Sequence, residues 1–292
     1  MTIFIVKFIV AVAVVIGLSI IAEKSSPRIA GILSGYPTGS AISLFFFGLE
    51  INPEFAAKSA VYNMIAIVAM QAFIYFYYKA SLKFNMVISS LVAIVGYFVI
   101  IWLLHFIELN TFVAILIPIT SIFLFFYLFR PIKNVQIENK VQLNLKVFFI
   151  RALFAASIIL FITEIAKLVG PTWSGLFSAF PTTLFPLILI VHFTYDKKHV
   201  HTIIKNIPIG IFSLVLYSLT VSIVYPFYGI YWGTLMSFGV ATVYLVAYQL
   251  FKKLRMFFKT KREFLKELDE AEKDWEKHGG KSLSQMKKKY KL

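Results

Sequence analysis

The chain has 292 residues, of which 59% are hydrophobic and 15% charged, and its mean hydropathy is +0.81. Soluble domains carry about 45–50% apolar residues, so a water-soluble fold is excluded and a polytopic, all-α membrane protein is expected. The chain has no cysteine, which removes disulfide frameworks and thiolate metal sites; nucleic acid is not an expected partner, because the net charge of +15 draws 14 of its 29 Lys/Arg from residues 251–292, where 7 of the 14 Asp/Glu also lie.

In chain order, apolar runs at 3–22, 29–49, 56–77, 86–106 and 111–129 are each long enough to cross a hydrocarbon core of about 30 Å. A polar stretch at 130–146 follows, then further runs at 147–166, 173–193, 204–225 and 229–250. The spacing predicts nine transmembrane helices. The first run lacks a cleavage-site pattern and is read as a retained helix.

One short stretch occurs twice. Residues 26–38, SPRIAGILSGYPT, return 144 positions later as GPTWSGLFSAFPT, and Pro27/Pro171, Gly31/Gly175, Ser34/Ser178, Pro37/Pro181 and Thr38/Thr182 coincide. The expected organisation is a four-helix repeat over 1–109, a linker helix with a cytoplasmic loop over 110–146, a second four-helix repeat over 147–250, and a basic, amphipathic tail over 251–292. With the N-terminus outside, the cytoplasmic loops hold Lys24, Arg28, Lys79, Lys83, Arg130, Lys133, Lys140, Lys146, Lys197, Lys198 and Lys205, and the outer side only Lys7, Lys58 and Lys167. By the positive-inside rule the C-terminus is cytoplasmic. The odd fifth helix turns the chain over, so the second repeat is inverted relative to the first.

Paired Gly/Pro interruptions in inverted repeats point to the binding site of a secondary transporter. Proline lacks an N–H and crowds the preceding turn, so the carbonyls of Leu33 and Phe177 are expected to lose their helical donors. The expected substrate site is formed by Ser34, Pro37, Thr38, Ser178, Pro181, Thr182 and Thr183 near the membrane midplane, with hydroxyls also at Ser40. Kinked helices that merely pack closely are the alternative, since small residues and proline are common in membrane helices.

Lys7 and Arg151 occupy equivalent places early in the first and sixth helices. They are either a cationic lining for an anionic solute or residues that snorkel to the headgroups. Glu164 is read as the i,i+3 partner of Lys167. His192 is read as an interfacial residue. His199 and His201 lack a third ligand in sequence, so neither a metal nor another cofactor is expected. No His-Glu-x-x-His pair or acidic Mg²⁺ set is present, and Gly279-Gly280-Lys281-Ser282 fails as a P-loop because Trp275 stands where its first glycine belongs. The chain is not expected to be an enzyme. In the tail, Phe257, Phe258, Phe264, Leu265 and Leu268 form the apolar set of a cytoplasmic helix, and its basic first turns suit anionic lipid, with a cytoplasmic partner as the alternative.

A basic residue early in the first helix, a small residue before Gly-Leu/Ile, and then an aromatic-Pro-Thr triplet resembles the GlpM family of small four-helix bacterial inner-membrane proteins. Helices six to nine carry this in Arg151, Ser174-Gly175-Leu176, Phe180-Pro181-Thr182 and His192. Helices one to four carry it in Lys7, Ala30-Gly31-Ile32 and Tyr36-Pro37-Thr38, with Gly48 where the histidine would stand. The resemblance implies two such units fused in opposite orientations in a bacterial inner membrane. The function expected is carriage of a small polar or anionic solute; a non-transporting scaffold for an envelope or metabolic enzyme is the alternative.

Overall fold

The computed structural model describes residues 2–23, 32, 35–107, 109, 111–132, 145–194 and 197–278, and every regular element among them is an α-helix. In chain order these are α1 (Thr2–Glu23), α2 (Thr38–Glu50), α3 (Pro53–Ser81), α4 (Met86–His105), α5 (Thr111–Leu128), α6 (Leu145–Ser178), α7 (Leu184–Thr194) and α8 (Lys197–His278). Local chemistry sets several of these ends. The side chain of Asn52 accepts the Phe55 N–H at 2.7 Å and opens α3, with Pro53 in the first turn. Asn85 does the same for α4 through the Ile88 N–H at 3.0 Å.

Two expected loops shrink to one residue each. The connection expected between the sixth and seventh spans, 167–172, is occupied by α6, broken only at Gly170, whose φ of 76° and ψ of 173° no helix accommodates. Likewise the eighth and ninth spans are joined within α8 at Gly229, with φ 71° and ψ 179°. Positive φ costs glycine almost nothing, so each break needs a single residue. Pro171 follows the first break directly and restarts the helix with its φ already fixed.

The second and seventh expected spans are not continuous helices. A turn at 35–37 precedes α2, and α6 ends at Ser178 before a turn at 179–183 that leads into α7. Half-helix 171–178 is about 12 Å long and α7 about 16 Å, so together they match a hydrocarbon core of about 30 Å with the turn near its middle.

Chain segments 1–243 and 244–292 form two compact units. In the first, α3 is the hub: 72% of its apolar window is buried against 33% for α4, so α3 is core and α4 turns outward. The outward face of α4 carries Val87, Leu91, Val95 and Trp102, all exposed. Helices α3, α4, 152–178 of α6 and 197–255 of α8 are long and apolar enough to cross a membrane, and exposed apolar faces of this size suit lipid. The second unit is helical to His278, and Phe251, Leu254 and Phe258 stand exposed at helical spacing.

Candidate functional site

The two breaks share one backbone solution. In the first, the Thr38 N–H donates to the Tyr36 carbonyl at 2.7 Å and the Ala41 N–H to the Pro37 carbonyl at 3.1 Å. In the second, the Thr182 N–H donates to Phe180 at 2.7 Å and the Phe185 N–H to Pro181 at 2.8 Å. All four donors and acceptors are related by the same 144-residue offset as the sequence repeat. Proline makes this turn, because the helix cannot run through it without losing a bond to the missing N–H.

The structure brings the breaks face to face. The Thr38 hydroxyl donates to the Thr183 hydroxyl at 3.3 Å, and the Thr182 hydroxyl lies against the α-carbon of Gly39, where a β-carbon would collide with it. Residue 39 is equivalent to 183, and 182 to 38. The pairs 38–183 and 39–182 are therefore exchanged by the repeat, which is the signature of a two-fold contact. Pro37, Thr38, Ser178, Pro181 and Thr182 are all buried and Thr183 is half-buried.

Asn63, in the middle of α3, ties the arrangement together. Its amide donates to the Ser40 hydroxyl at 3.1 Å and the Ser178 hydroxyl at 2.8 Å, and its carbonyl accepts from Ser218 of α8 at 2.8 Å. Close backbone approach completes the fit. A β-carbon on Gly35 would strike the Gly210 backbone of α8, and one on Gly175 the Ser59 carbonyl of α3.

The carbonyls and the donors of the breaks are treated differently. The Phe177 carbonyl, which Pro181 was expected to orphan, accepts the Phe180 N–H at 3.0 Å. Leu176 O accepts the Tyr97 hydroxyl at 2.6 Å, and Ser178 O the Ser40 hydroxyl at 2.9 Å. By contrast, α2 and α7 begin here, and the first turn of any helix leaves N–H groups without intrahelical acceptors and a partial positive charge. Among the described residues the Thr182 hydroxyl is buried at 1% exposure without a hydrogen-bond partner.

Other residues expected at the site are elsewhere or outside the described set. Ser34 lies outside the described residues, and Arg151 falls in α6 but its side chain is likewise outside them. Lys7 neither lines the break nor snorkels. It is fully buried, with its ammonium 2.7 Å from Glu50, 2.8 Å from Glu164 and 3.1 Å from the Thr163 hydroxyl. Glu50 ends α2, about 18 Å along the helix from Thr38. Glu164 does bond Lys167, at 2.9 Å, and Lys167 also reaches Glu50 at 3.4 Å, so four charges form one cluster. His192 bonds the Tyr77 hydroxyl at 2.7 Å and His201 the Ser81 hydroxyl at 2.8 Å. Among the described residues no group of three or more His, Cys, Asp or Glu side chains could hold a metal ion.

Sequence reasoning missed Asn63, Ser218 and Glu50. An amide inside an apolar span was a usable signal for Asn63, as it was for Gln71 in the same helix, since such residues are costly in a membrane unless paired. Glu50 sits next to a turn and reads as a loop residue; only the fold brings Lys7 to it. No family model matches the chain, and no curated protein or solved structure matches it either.

Proposed function

We propose that the chain is a membrane carrier for a small polar or anionic solute, built as a nine-helix inverted repeat with its site where the two proline breaks meet. The observation that carries this reading is the exchanged pair of contacts, Thr38 with Thr183 and Gly39 with Thr182. Inverted repeats with discontinuous helices crossing at the midplane are the architecture of secondary transporters. Side placement is consistent with it: Lys7 and Lys167, both assigned to the outer side, share Glu50 and Glu164, while Tyr77 pairs with His192 and Ser81 with His201 at the ends of spans assigned to the opposite side. With the positive-inside bias, the N-terminus is outside and the C-terminus in the cytoplasm of a plasma, or inner, membrane.

A second reading, a non-transporting scaffold, is favoured by the direct hydroxyl contact that closes the breaks on each other, and by the long helix of the second unit as a partner-binding element. Flux in proteoliposomes separates the two. A panel of small phosphorylated and carboxylated solutes is compared between the intact chain, Pro181→Ala and Thr182→Val. Flux that falls in both folded variants supports the carrier, and no flux from any solute, with loss of biological function on removing 251–292, supports the scaffold. Orientation is read with single cysteines, which are unique because the chain has none: Glu54→Cys is labelled from outside and Phe84→Cys from the cytoplasmic side.

A further inference from the structure

An apolar cleft of about 450 Å³ lies between α4 and α6. Phe98 of α4 and Ile158 and Ile162 of α6 form its sides, and Phe177, Phe180 and Phe185, which bracket the second break, line it too. The cleft therefore adjoins the turn that carries Pro181 and Thr182. Tyr97 contributes the one polar atom among the lining side chains, and that hydroxyl is turned away onto the Leu176 carbonyl at 2.6 Å. Along α6 the lining runs from Phe154 to Ile165, about 16 Å. That is half of a hydrocarbon core of about 30 Å, the depth of one leaflet.

Both walls belong to helices apolar enough to cross a membrane, and Phe98, Phe154 and Phe161 at the cleft are exposed. A space so lined offers nothing to a small polar solute, whose transfer into apolar surroundings without hydrogen bonds is unfavourable. It suits a hydrocarbon chain. The adjoining break has a different character: the carbonyls at 176–178 are taken by Tyr97, Ser40 and the Phe180 N–H, two helices of 13 and 11 residues start there, and the buried Thr182 hydroxyl has no partner among the described residues. Helix starts carry partial positive charge, and an unpaired hydroxyl beside them can donate to a negatively charged group.

We propose that the solute carried is an anionic lipid, its head passing between the two breaks while its chain lies in the cleft between α4 and α6. This rests on the carrier reading and narrows it from small solutes to amphiphiles. The head leaves water for a site of fixed donors, and the chain never leaves an apolar environment. Phe180 stands at the junction, packed on Tyr97 at 5.1 Å and on Phe73 at 5.7 Å between ring centroids. Its rotation would join cleft and break.

The test reconstitutes the full chain in phosphatidylcholine vesicles with a trace of phosphatidylglycerol labelled on one acyl chain with a dithionite-sensitive fluorophore. Bleaching of inner-leaflet label is followed, with chain-labelled phosphatidylcholine as the zwitterionic probe and entrapped inorganic phosphate as the chain-free anion. Expected is bleaching of the phosphatidylglycerol probe well above protein-free vesicles, slowed by on the order of tenfold in Thr182→Val, which loses one hydrogen bond to a charged head. Ile158→Trp, which fills the cleft, slows it comparably; Phe161→Trp at the exposed rim serves if Ile158→Trp fails to fold. Phosphate flux without lipid movement overturns the lipid proposal and leaves the carrier reading standing. Equal movement of both lipid probes overturns the anionic head. No movement of either lipid overturns the proposal, and the carrier reading falls with it when the panel of phosphorylated and carboxylated solutes shows no flux either.

Discussion

Lys7→Met is the sharpest test of the charge cluster, because its cost follows from burial alone. The Lys7 side chain is fully buried and Glu50 is 8% exposed, whereas Glu164 is 46% and Lys167 42% exposed. Removing one partner of a buried pair leaves an uncompensated charge and costs roughly 3–5 kcal/mol, while exposed pairs are worth about 0–1 kcal/mol. Lys167, at 3.4 Å, keeps part of the Glu50 charge compensated, which places Lys7→Met at about 3 kcal/mol. Glu164→Gln should then cost no more than about 1 kcal/mol. The double variant Lys7→Met with Glu50→Gln should recover most of the loss, because it removes the stranded charge as well. Equilibrium unfolding in mixed micelles, followed by circular dichroism, measures all of these. A Lys7→Met loss under about 1 kcal/mol, or equal losses for Glu50→Gln and Glu164→Gln, would refute the assignment of Lys7 to a buried pair with Glu50.

Asn63→Leu deprives Ser40, Ser178 and Ser218 of their shared partner and should lower stability by about 2–4 kcal/mol, at roughly 1 kcal/mol per hydrogen bond, read by the same unfolding assay. Gly39→Ala places a methyl against the Thr182 hydroxyl and should lower the melting temperature, with Thr182→Ala restoring much of it in the double variant if the two residues face each other. Gly229→Ala meets no atom within 4 Å and pays only for its backbone conformation, φ 71° with ψ 179°, about 1–3 kcal/mol. Gly175→Ala, at ordinary helical φ, drives a β-carbon into the Ser59 carbonyl and should cost more than Gly229→Ala; the reverse ranking would contradict the close packing of half-helix 171–178 on α3.

The helical spans were legible because apolar runs of about 20 residues have few other readings, and the repeat was legible because Pro37 and Pro181 keep the same neighbours at the same offset. The loops were not. Gly170 and Gly229 show in sequence only as single glycines, and nothing local says that one left-handed residue replaces a whole connection. The contact of Thr38 with Thr183 joins residues of the two copies of the repeated stretch, whereas Asn63 and Glu50 depended on tertiary neighbours far away in sequence. Lys7 illustrates the limit best, since its partners Glu50 and Glu164 lie in two other helices and the matched position Arg151 offered a simpler symmetric story.

The contact between Thr38 and Thr183 spans 145 residues of chain, which has a consequence during biosynthesis. A ribosome adding about 5–20 residues per second needs roughly 7–30 s to travel from one to the other. Throughout that interval the first break has no second break to close against, and Ser40 has neither the Ser178 carbonyl nor its share of the finished Asn63 bracket. The nascent first half must therefore wait with the Thr38 and Ser40 hydroxyls lacking their partners from the second half, so truncation anywhere before residue 183 should yield a half-protein that membrane quality-control proteases recognise at once.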